Sequence, residues 1–356
     1  MKNIIEKWFE IKIDLEKIDQ YCSRIEVKKK NIVENVNEEN VCVSCVQRMI
    51  KPVMHVESYI DIISSFLRYA VKEGSNLVIF PEYNYFDLFG LIPGFININQ
   101  LLNTIAMGKA GKMKKKSSSK GTRTNRFLIN IFKNTARPIE AGMNRITSLL
   151  AIKYGLYIYS GSYLLMEDGE MYNAGSLFGP DGQLIGTQKK LHLTDFEVNL
   201  GIKNGTKMEI FSLPFGKVVF PVCMDATYFE TFRIARELGA DIVILPIANM
   251  EEFNHWKARR GIWPRVQESY VYGLKSSLNG WIAGLHFTGQ AGIFAPLSLT
   301  QKKDGILSIT SSSEGDFTVT ESINMIKLRE EREKAEYHGD KNPFFERDYT
   351  NQTYIG

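Results

Sequence analysis

Cysteine is scarce in this sequence: Cys22, Cys42, Cys45 and Cys223 are the only four in 356 residues. They are too few and too unevenly spaced for a disulfide framework, which agrees with a reducing compartment. Long apolar runs are missing as well. Asn, Gly, Pro or a charge interrupts even the stretch from Leu77 to Ile98, so nothing approaches the roughly 18 residues of a membrane span. The N-terminus has neither the apolar segment nor the small-residue cleavage site of a secretory signal, and a cytoplasmic address is expected. Nor is there compositional bias: 28 Gly, 11 Pro, 44% hydrophobic and 24% charged residues exclude collagen-like and wholly disordered chains. Histidine is rare, and His55, His255, His286 and His338 show no ligand spacing. Cys42 and Cys45 form a C-x-x-C, but within a β-type run that would turn them to opposite faces, with no second pair. Neither a metal nor an organic cofactor is expected.

Acidic residues are absent from Leu88 to Ile139, where ten Lys and Arg occur. The whole chain carries +4, so the remainder without that window carries −6. The segment from Gly108 to Arg126 has no periodicity and is expected to be a flexible basic insertion. A solvated loop, a dock for an acidic protein or anionic membrane surface, a phosphate-attracting nucleic-acid contact and a lid are all open readings; with no interleaved aromatics, nucleic acid is not the expected partner.

What is present alternates. Ile4, Trp8, Ile11, Leu15, Ile18, Cys22 and Ile25 fall at spacings of four and three, which predicts one helix from about Asn3 to Arg24, lying on the body or serving a dimer contact. A polar linker runs from Lys28 to Asn40. From Val41 short β-rich runs alternate with helical patterns: Val41 to Val46, Met54 to Glu73 and Leu77 to Phe80, then Ile146 to Lys153 and Tyr157 to Ser160, then Val218 to Cys223, Phe229 to Leu238 and Asp241 to Pro246. This argues for an α/β layered fold. Turn signals at Asp168-Gly169 and Asp181-Gly182 add antiparallel strands between Gly161 and Thr187, so mixed sheets are expected. Three regions follow: residues 1–40 as a helical extension and linker, 41–330 as the main domain with its insertion at 108–126, and 331–356 as a C-terminal tail that opens in a charged helix.

Three positions have the makings of chemistry. Glu82 follows the strand LVIFPE at its carboxyl edge, among Phe80, Tyr83, Tyr85 and Phe86, surroundings that raise a carboxyl pKa and suit general base and acid work. Cys223 ends VVFPVC before a helical pattern, whose amino end would lower a thiol pKa and cradle an oxyanion. Lys190, in QKKLHLTDFE, would hold a positive charge on that oxyanion if it lay beside the other two. Each alone has a plain reading as well: a turn carboxylate, a buried hydrophobe, a surface lysine.

The order FPE, Lys190-Leu191-His192-Leu193, then Cys223-Met224-Asp225 with its aromatic-Glu-x-x-Arg helix and Gly-Ala-Asp strand resembles the nitrilase, or carbon-nitrogen hydrolase, superfamily, from about Val41 to about Arg329. Asn173 in YNAG and Arg265-Val266-Gln267-Glu268-Ser269, against the usual R-A-x-E-N, are further matches. Val266 and Ser269 depart from that pattern, and the stretch between Glu82 and Lys190 is longer than usual. The resemblance implies a four-layer α-β-β-α sandwich, with Glu82 as general base, Lys190 as oxyanion stabiliser, Cys223 as nucleophile and Glu197 as a second glutamate beside the lysine. It implies a thiol amidase of small linear amides or carbamoyl compounds, with a homodimer or higher homo-oligomer as its assembly. Nitrile hydrolysis and acyl transfer would use the same triad, and a non-catalytic interaction protein would use the N-terminal helix and basic segment instead. Tyr83, Asn84, Met224, Asn249 and Trp256 are candidate substrate contacts, and Glu251 with Glu252 would favour an amine-bearing substrate.

Overall fold

The computed structural model describes residues 4–27, 36–109, 123–335, 342, 344, 345 and 347, with the side chains of 109 and 123–128 left aside. The N-terminal periodicity yields two helices, α1 (Ile4–Lys12) and α2 (Leu15–Arg24). Asp14 separates them, because its carboxylate accepts the amides of Glu16 and Lys17 and caps α2. The break re-aims the stripe. Phe9 and Ile13 are buried with Ile18 and Cys22, while Ile4 and Ile11 stay outside. Ile13 sits so close to Gly142 that a Cβ there would lie 2.3 Å from its Cγ2. These helices therefore lie on the body and share its main core.

The body begins with β1 (Val41–Met49), α3 (Val56–Lys72) and β2 (Leu77–Ile79). The segment expected to be an insertion loop is largely bracketed by helix: α4 (Phe95–Lys109) and α5 (Arg123–Tyr154) take in both of its ends, and 110–122 lie outside the described residues. The helix α4 leaves Ile98, Leu101, Leu102 and Ile105 exposed. Then follow β3 (Tyr157–Glu167), β4 (Glu170–Phe178), β5 (Leu184–Lys189), α6 (Asp195–Asn199), β6 (Ile202–Lys203), β7 (Phe211–Leu213), β8 (Gly216–Val219), α7 (Phe229–Glu237) and β9 (Ile242–Ile247). The chain continues through α8 (His255–Arg260), α9 (Trp263–Ser269), β10 (Tyr272–Ile282), β11 (Leu285–Phe287), β12 (Gly292–Phe294), β13 (Ile306–Ile309), β14 (Phe317–Ile323) and α10 (Met325–Lys334), the last of which crosses the expected boundary at 330.

Among the described residues all fourteen strands join one mixed network, whose spine runs β5-β4-β3-β2-β1-β10-β9-β8-β7. The pairs from β3 through β8 are parallel; β4 and β5 extend one end antiparallel, as the turn signals predict, and β7 extends the other. Strand alternation sorts the side chains into layers. Val78 joins the helices α1, α2, α3 and α5 in one cluster, and Val243 and Leu245 join α7 and α9 in another. The opposite faces of both regions, Leu77 and Ile79 with Ile242 and Ile244, meet in a third cluster between them. The fold is α/β with a large mixed sheet and helices. Its central strands run in parallel, so the carboxyl ends of β2, β8 and β9 open onto one place.

Candidate active site

Glu82 stands two residues after Phe80 on the turn leaving β2. The turn is held by Gly161, where φ is +75° and a Cβ would lie 2.2 Å from the Pro81 carbonyl oxygen, so no other residue fits. Behind it the fully buried Arg48 donates to the Asn84 carbonyl and amide oxygens at 3.0 Å and pairs with Asp87 at 2.5 Å, while Asp87 also accepts the Lys51 amide at 2.5 Å. Asn84 donates in turn to Tyr59 and to the Ser160 carbonyl. This buried network fixes the turn, and it commits the Asn84 side chain to the fold, not to a substrate.

Lys190 follows β5, its amide bonded to the Asn173 carbonyl. Its ammonium, 1% exposed, lies 2.8 Å from Glu82 Oε1 and from Glu197 Oε2, and 3.0 Å from Glu197 Oε1. Glu197 is presented by its own helix start. Thr194 caps α6, and both its amide and its hydroxyl donate to Glu197 Oε2 at 2.9 Å. Tyr83 donates its hydroxyl to Glu197 Oε1 at 2.6 Å. Asn173 bridges the two acids, its single Nδ2 lying 3.0 Å from Glu82 Oε1 and 2.8 Å from Glu197 Oε1. The Ala248 amide, just past β9, donates to Glu82 Oε2 at 2.9 Å.

Cys223 opens a 3₁₀ turn (Cys223–Thr227) with φ at +46°, strained for a residue with a Cβ. Its thiol hydrogen-bonds Glu82, and the residue keeps partial solvent access. Asp225 locks the turn. Its buried carboxylate accepts the amides of Val222 at 2.8 Å, Leu191 at 3.1 Å and His192 at 2.6 Å, so one side chain ties the Cys223 segment to the Lys190 segment. His192 stacks beside Tyr228, in keeping with a packing role.

Burial pushes Glu82 above the ordinary carboxyl range; Lys190 opposes that shift and Glu197 adds to it. Burial would raise Glu197 too, but the Lys190 charge and the hydrogen bonds of Lys190, Thr194 and Tyr83 outweigh it and hold this acid low. Burial works against the Lys190 charge, yet Glu82, Cys223 and Glu197 more than compensate, and the ammonium is retained. Cys223 departs from expectation. Its thiol is pushed well above the usual range by burial first and by the Glu82 anion second, despite Lys190. A short 3₁₀ turn separates it from α7, so no long helix offers its positive end there. A thiolate would be a third negative charge around one ammonium, and the resting group is the thiol.

Of the candidate substrate contacts, Tyr83 is occupied by Glu197, Met224 adjoins Cys223, and Asn249 caps the Glu251 amide at 3.1 Å. Trp256 is 74% exposed on α8 beside His255 and Arg259. Glu251 is exposed, 3.6 Å from Lys257. Three contributors carry no role in the sequence reading. Asp225 and Asn173 were visible only as motif letters, and Arg48, just past the Val41 to Val46 run, gave no signal. All four cysteines are free, with Cys45 in the inner cluster and Cys42 reaching the Glu73 carbonyl. No group of three or more metal-binding side chains converges among the described residues, and no described helix is long and apolar enough to cross a membrane.

The fold and this buried Glu-Lys-Glu-Cys cluster define a class, and comparison agrees: the Carbon-nitrogen hydrolase family pattern matches residues 42–296, and the chain belongs to that family. More particularly, it is 31% identical over 194 residues to a probable hydrolase of Bacillus subtilis, covering 52% of this chain and 37% of that one. It is 29% identical over 185 residues to an omega-amidase of Danio rerio, covering 47% and 66%, so the chain spans about a third to two thirds of these two curated relatives. An omega-amidase of Xenopus laevis is 25% identical over 252 residues, 65% of this chain and 91% of its own. Among solved structures, a carbon-nitrogen hydrolase from Helicobacter pylori superposes with a TM-score of 0.64 at 18% identity, covering 88% of this chain and 98% of the other. An amidase from Nesterenkonia sp. gives 0.59 at 16%, covering 84% and 96%. At such identities these two likenesses speak for the fold.

Proposed function

We propose that this protein is an amidase that cleaves a small linear amide or carbamoyl compound through a thioester on Cys223. The observation that carries this is the single Lys190 ammonium held between Glu82 and Glu197, with the Cys223 thiol hydrogen-bonded to the less stabilised of the two acids. An amide carbonyl is a poor electrophile, so its attack needs a thiolate made on demand and a fixed positive charge at the oxygen. As Cys223 Sγ bonds to the carbonyl carbon, its proton passes to Glu82 and the carbonyl electron pair moves onto oxygen. Lys190 and the Met224 amide, at the start of its turn, face the growing negative charge. Collapse expels the amine, which takes the proton from Glu82. Glu82 then draws a proton from water as the water oxygen attacks the thioester, the acid leaves, and the sulfur recovers its proton.

A raised Glu82 suits both directions of transfer, because a base and acid works best with a pKa near the working pH. Glu197 keeps its charge throughout and holds Lys190 in place.

The test is ammonia release from a panel of small amides, carbamoyl compounds and nitriles, run beside Cys223→Ala, with intact mass followed for an acyl adduct. Release that vanishes in the variant, with an adduct on Cys223 in the native protein, supports the reading. Nitriles as the preferred substrates, or an adduct that discharges only when an amine is added, would replace amide hydrolysis by nitrile hydrolysis or by acyl transfer.

A further inference from the structure

The helix α4 is built inside out. Ile98, Leu101, Leu102 and Ile105 fall at the i, i+3, i+4 and i+7 spacing that a surface helix normally turns toward its core. Here all four are exposed, Leu101 by 62% and Ile98 by 55%. The side that meets the body is polar instead. Asn99 is buried and its Oδ1 accepts the Ala283 amide at 2.6 Å, while Asn103 Oδ1, one turn on, accepts the Gly284 amide at 2.8 Å. Ala283 and Gly284 both have positive φ in the tight turn that joins β10 to β11, and a Cβ on Gly284 would lie 3.5 Å from the Leu102 carbonyl oxygen and 3.7 Å from the Ala106 side chain. The amides of that turn select the asparagines and so fix which way α4 faces. Phe95 holds its first turn, with its ring centre 6.1 Å from that of Phe89.

Single apolar residues on a surface need no explanation, but a stripe of four neighbours on one helix does. The charge around the stripe narrows what covers it. Between Leu88 and Ile139 the chain has ten Lys and Arg and no acid, and six of those cations, Lys109 to Lys120, follow directly on the stripe in sequence. On α5, Lys133 and Arg137 are exposed as well. A second copy seated here by two-fold symmetry would set one such cationic region against another. Nucleic acid makes no use of an aliphatic stripe, and the basic run offers no aromatic rings for bases to stack on. A bilayer surface with anionic headgroups matches both features at once, since aliphatic side chains enter the boundary between headgroups and acyl chains while lysines are attracted to the negative surface.

We propose that α4 docks this protein peripherally on an anionic lipid surface, with Ile98, Leu101, Leu102 and Ile105 entering the bilayer interface. The positive charge of the surrounding sequence selects anionic over neutral lipid. The contact lies in the plane of the surface, for no described helix is long and apolar enough to cross a membrane. It is also reversible and needs both parts, because neither a short apolar stripe nor a cationic segment alone makes a stable anchor. None of Glu82, Lys190, Glu197 or Cys223 takes part, so the docking stands or falls apart from the amidase reading.

Flotation of the full chain with vesicles tests it, using phosphatidylcholine with and without about 30% phosphatidylserine. The native protein should float with the anionic vesicles, stay behind with the neutral ones, and be released by high salt. Leu101→Gln/Ile105→Gln removes apolar surface without changing charge and should weaken binding at least about tenfold; both side chains are exposed, and an unchanged circular dichroism spectrum separates lost docking from lost fold. Lys114→Gln/Lys115→Gln/Lys116→Gln should weaken it by at least about tenfold too. Binding to neither kind of vesicle, or equal binding to both, overturns the proposal. So does anionic binding that the Leu101→Gln/Ile105→Gln variant retains in full, which would leave α4 without a part in it. A dimer in sedimentation velocity that this variant dissociates, with no flotation, would make a second copy the occupant. Poly-glutamate that binds where the vesicles do not would make it an acidic protein. Either result overturns the lipid assignment.

Discussion

Replacing Lys190 by Met isolates what the central ammonium does for the fold. At 2.8 Å from each acid, Coulomb attraction at an effective dielectric near 20 is about 6 kcal/mol per pair, most of it offsetting the desolvation of three buried charges. Removing one partner leaves two carboxylates buried against each other, which costs about 3–5 kcal/mol. For 356 residues at about 2 cal/mol/K each, the midpoint of thermal unfolding falls by about 4–7 °C. The loss depends on pH in a defined sense. Without Lys190 both acids have folded-state pKa values above their unfolded value of about 4.3, so the folded variant binds the extra protons and its stability falls as pH rises from there. Scanning calorimetry of both proteins from pH 5 to pH 8 should show the gap widening toward pH 8, and Lys190→Met/Glu197→Gln should recover part of it. A gap under about 1 kcal/mol at pH 8, or one equal at both ends, would refute the view that one ammonium compensates two buried acids.

Glu82→Gln removes the anion that holds the Cys223 proton while Lys190 remains, so iodoacetamide should alkylate Cys223 faster at pH 7 even as amide turnover drops by 10²-fold or more; slower alkylation would contradict the charge argument. Lys275→Met should stabilise the protein at pH 7. Burial lowers that lysine to about 8, a cost of roughly 3 kcal/mol, and since the unfolded chain binds the extra proton between about pH 8 and 10, the stability gap between variant and native protein should close through that window, as urea midpoints would read. Asp225→Ala should cut kcat about 10- to 100-fold with little change in KM, with partial recovery in Asp225→Asn, which keeps one acceptor oxygen for the amides of Val222, Leu191 and His192; a change confined to KM would show that this carboxylate does not align the lysine and the thiol.

Much of this site was legible in the sequence because its members sit at strand ends, where a hydrophobic run stops at a polar residue. LVIFPE and VVFPVC announce such ends, and the order of Glu82, Lys190, Glu197 and Cys223 supplied the rest. What escaped was tertiary. Whether a thiol is depressed or raised depends on which charge lies across the sheet, and Glu82 is 141 residues away along the chain. The break between α1 and α2 was written in Asp14, a good N-cap, but a seven-residue repeat read through it. Arg48 and Lys275 gave no signal in the sequence, and only the fold shows that one has a carboxylate partner and that the other has none among the described residues.

The Lys190–Glu82 contact closes a loop across 108 positions, within which lie α4, α5 and the basic run. Closing such a loop grows dearer only logarithmically with its length, about 0.6 kcal/mol for each doubling. The two ends are also fixed by the sheet, Glu82 through Gly161 of β3 and Lys190 through Asn173 of β4 and through Asp225, so the stretch from α4 through α5 that precedes β3 does not set their distance. The chemistry is thus insulated from the history of the intervening chain: this stretch can lengthen, gain charge or acquire a new surface while the reacting groups stay in register.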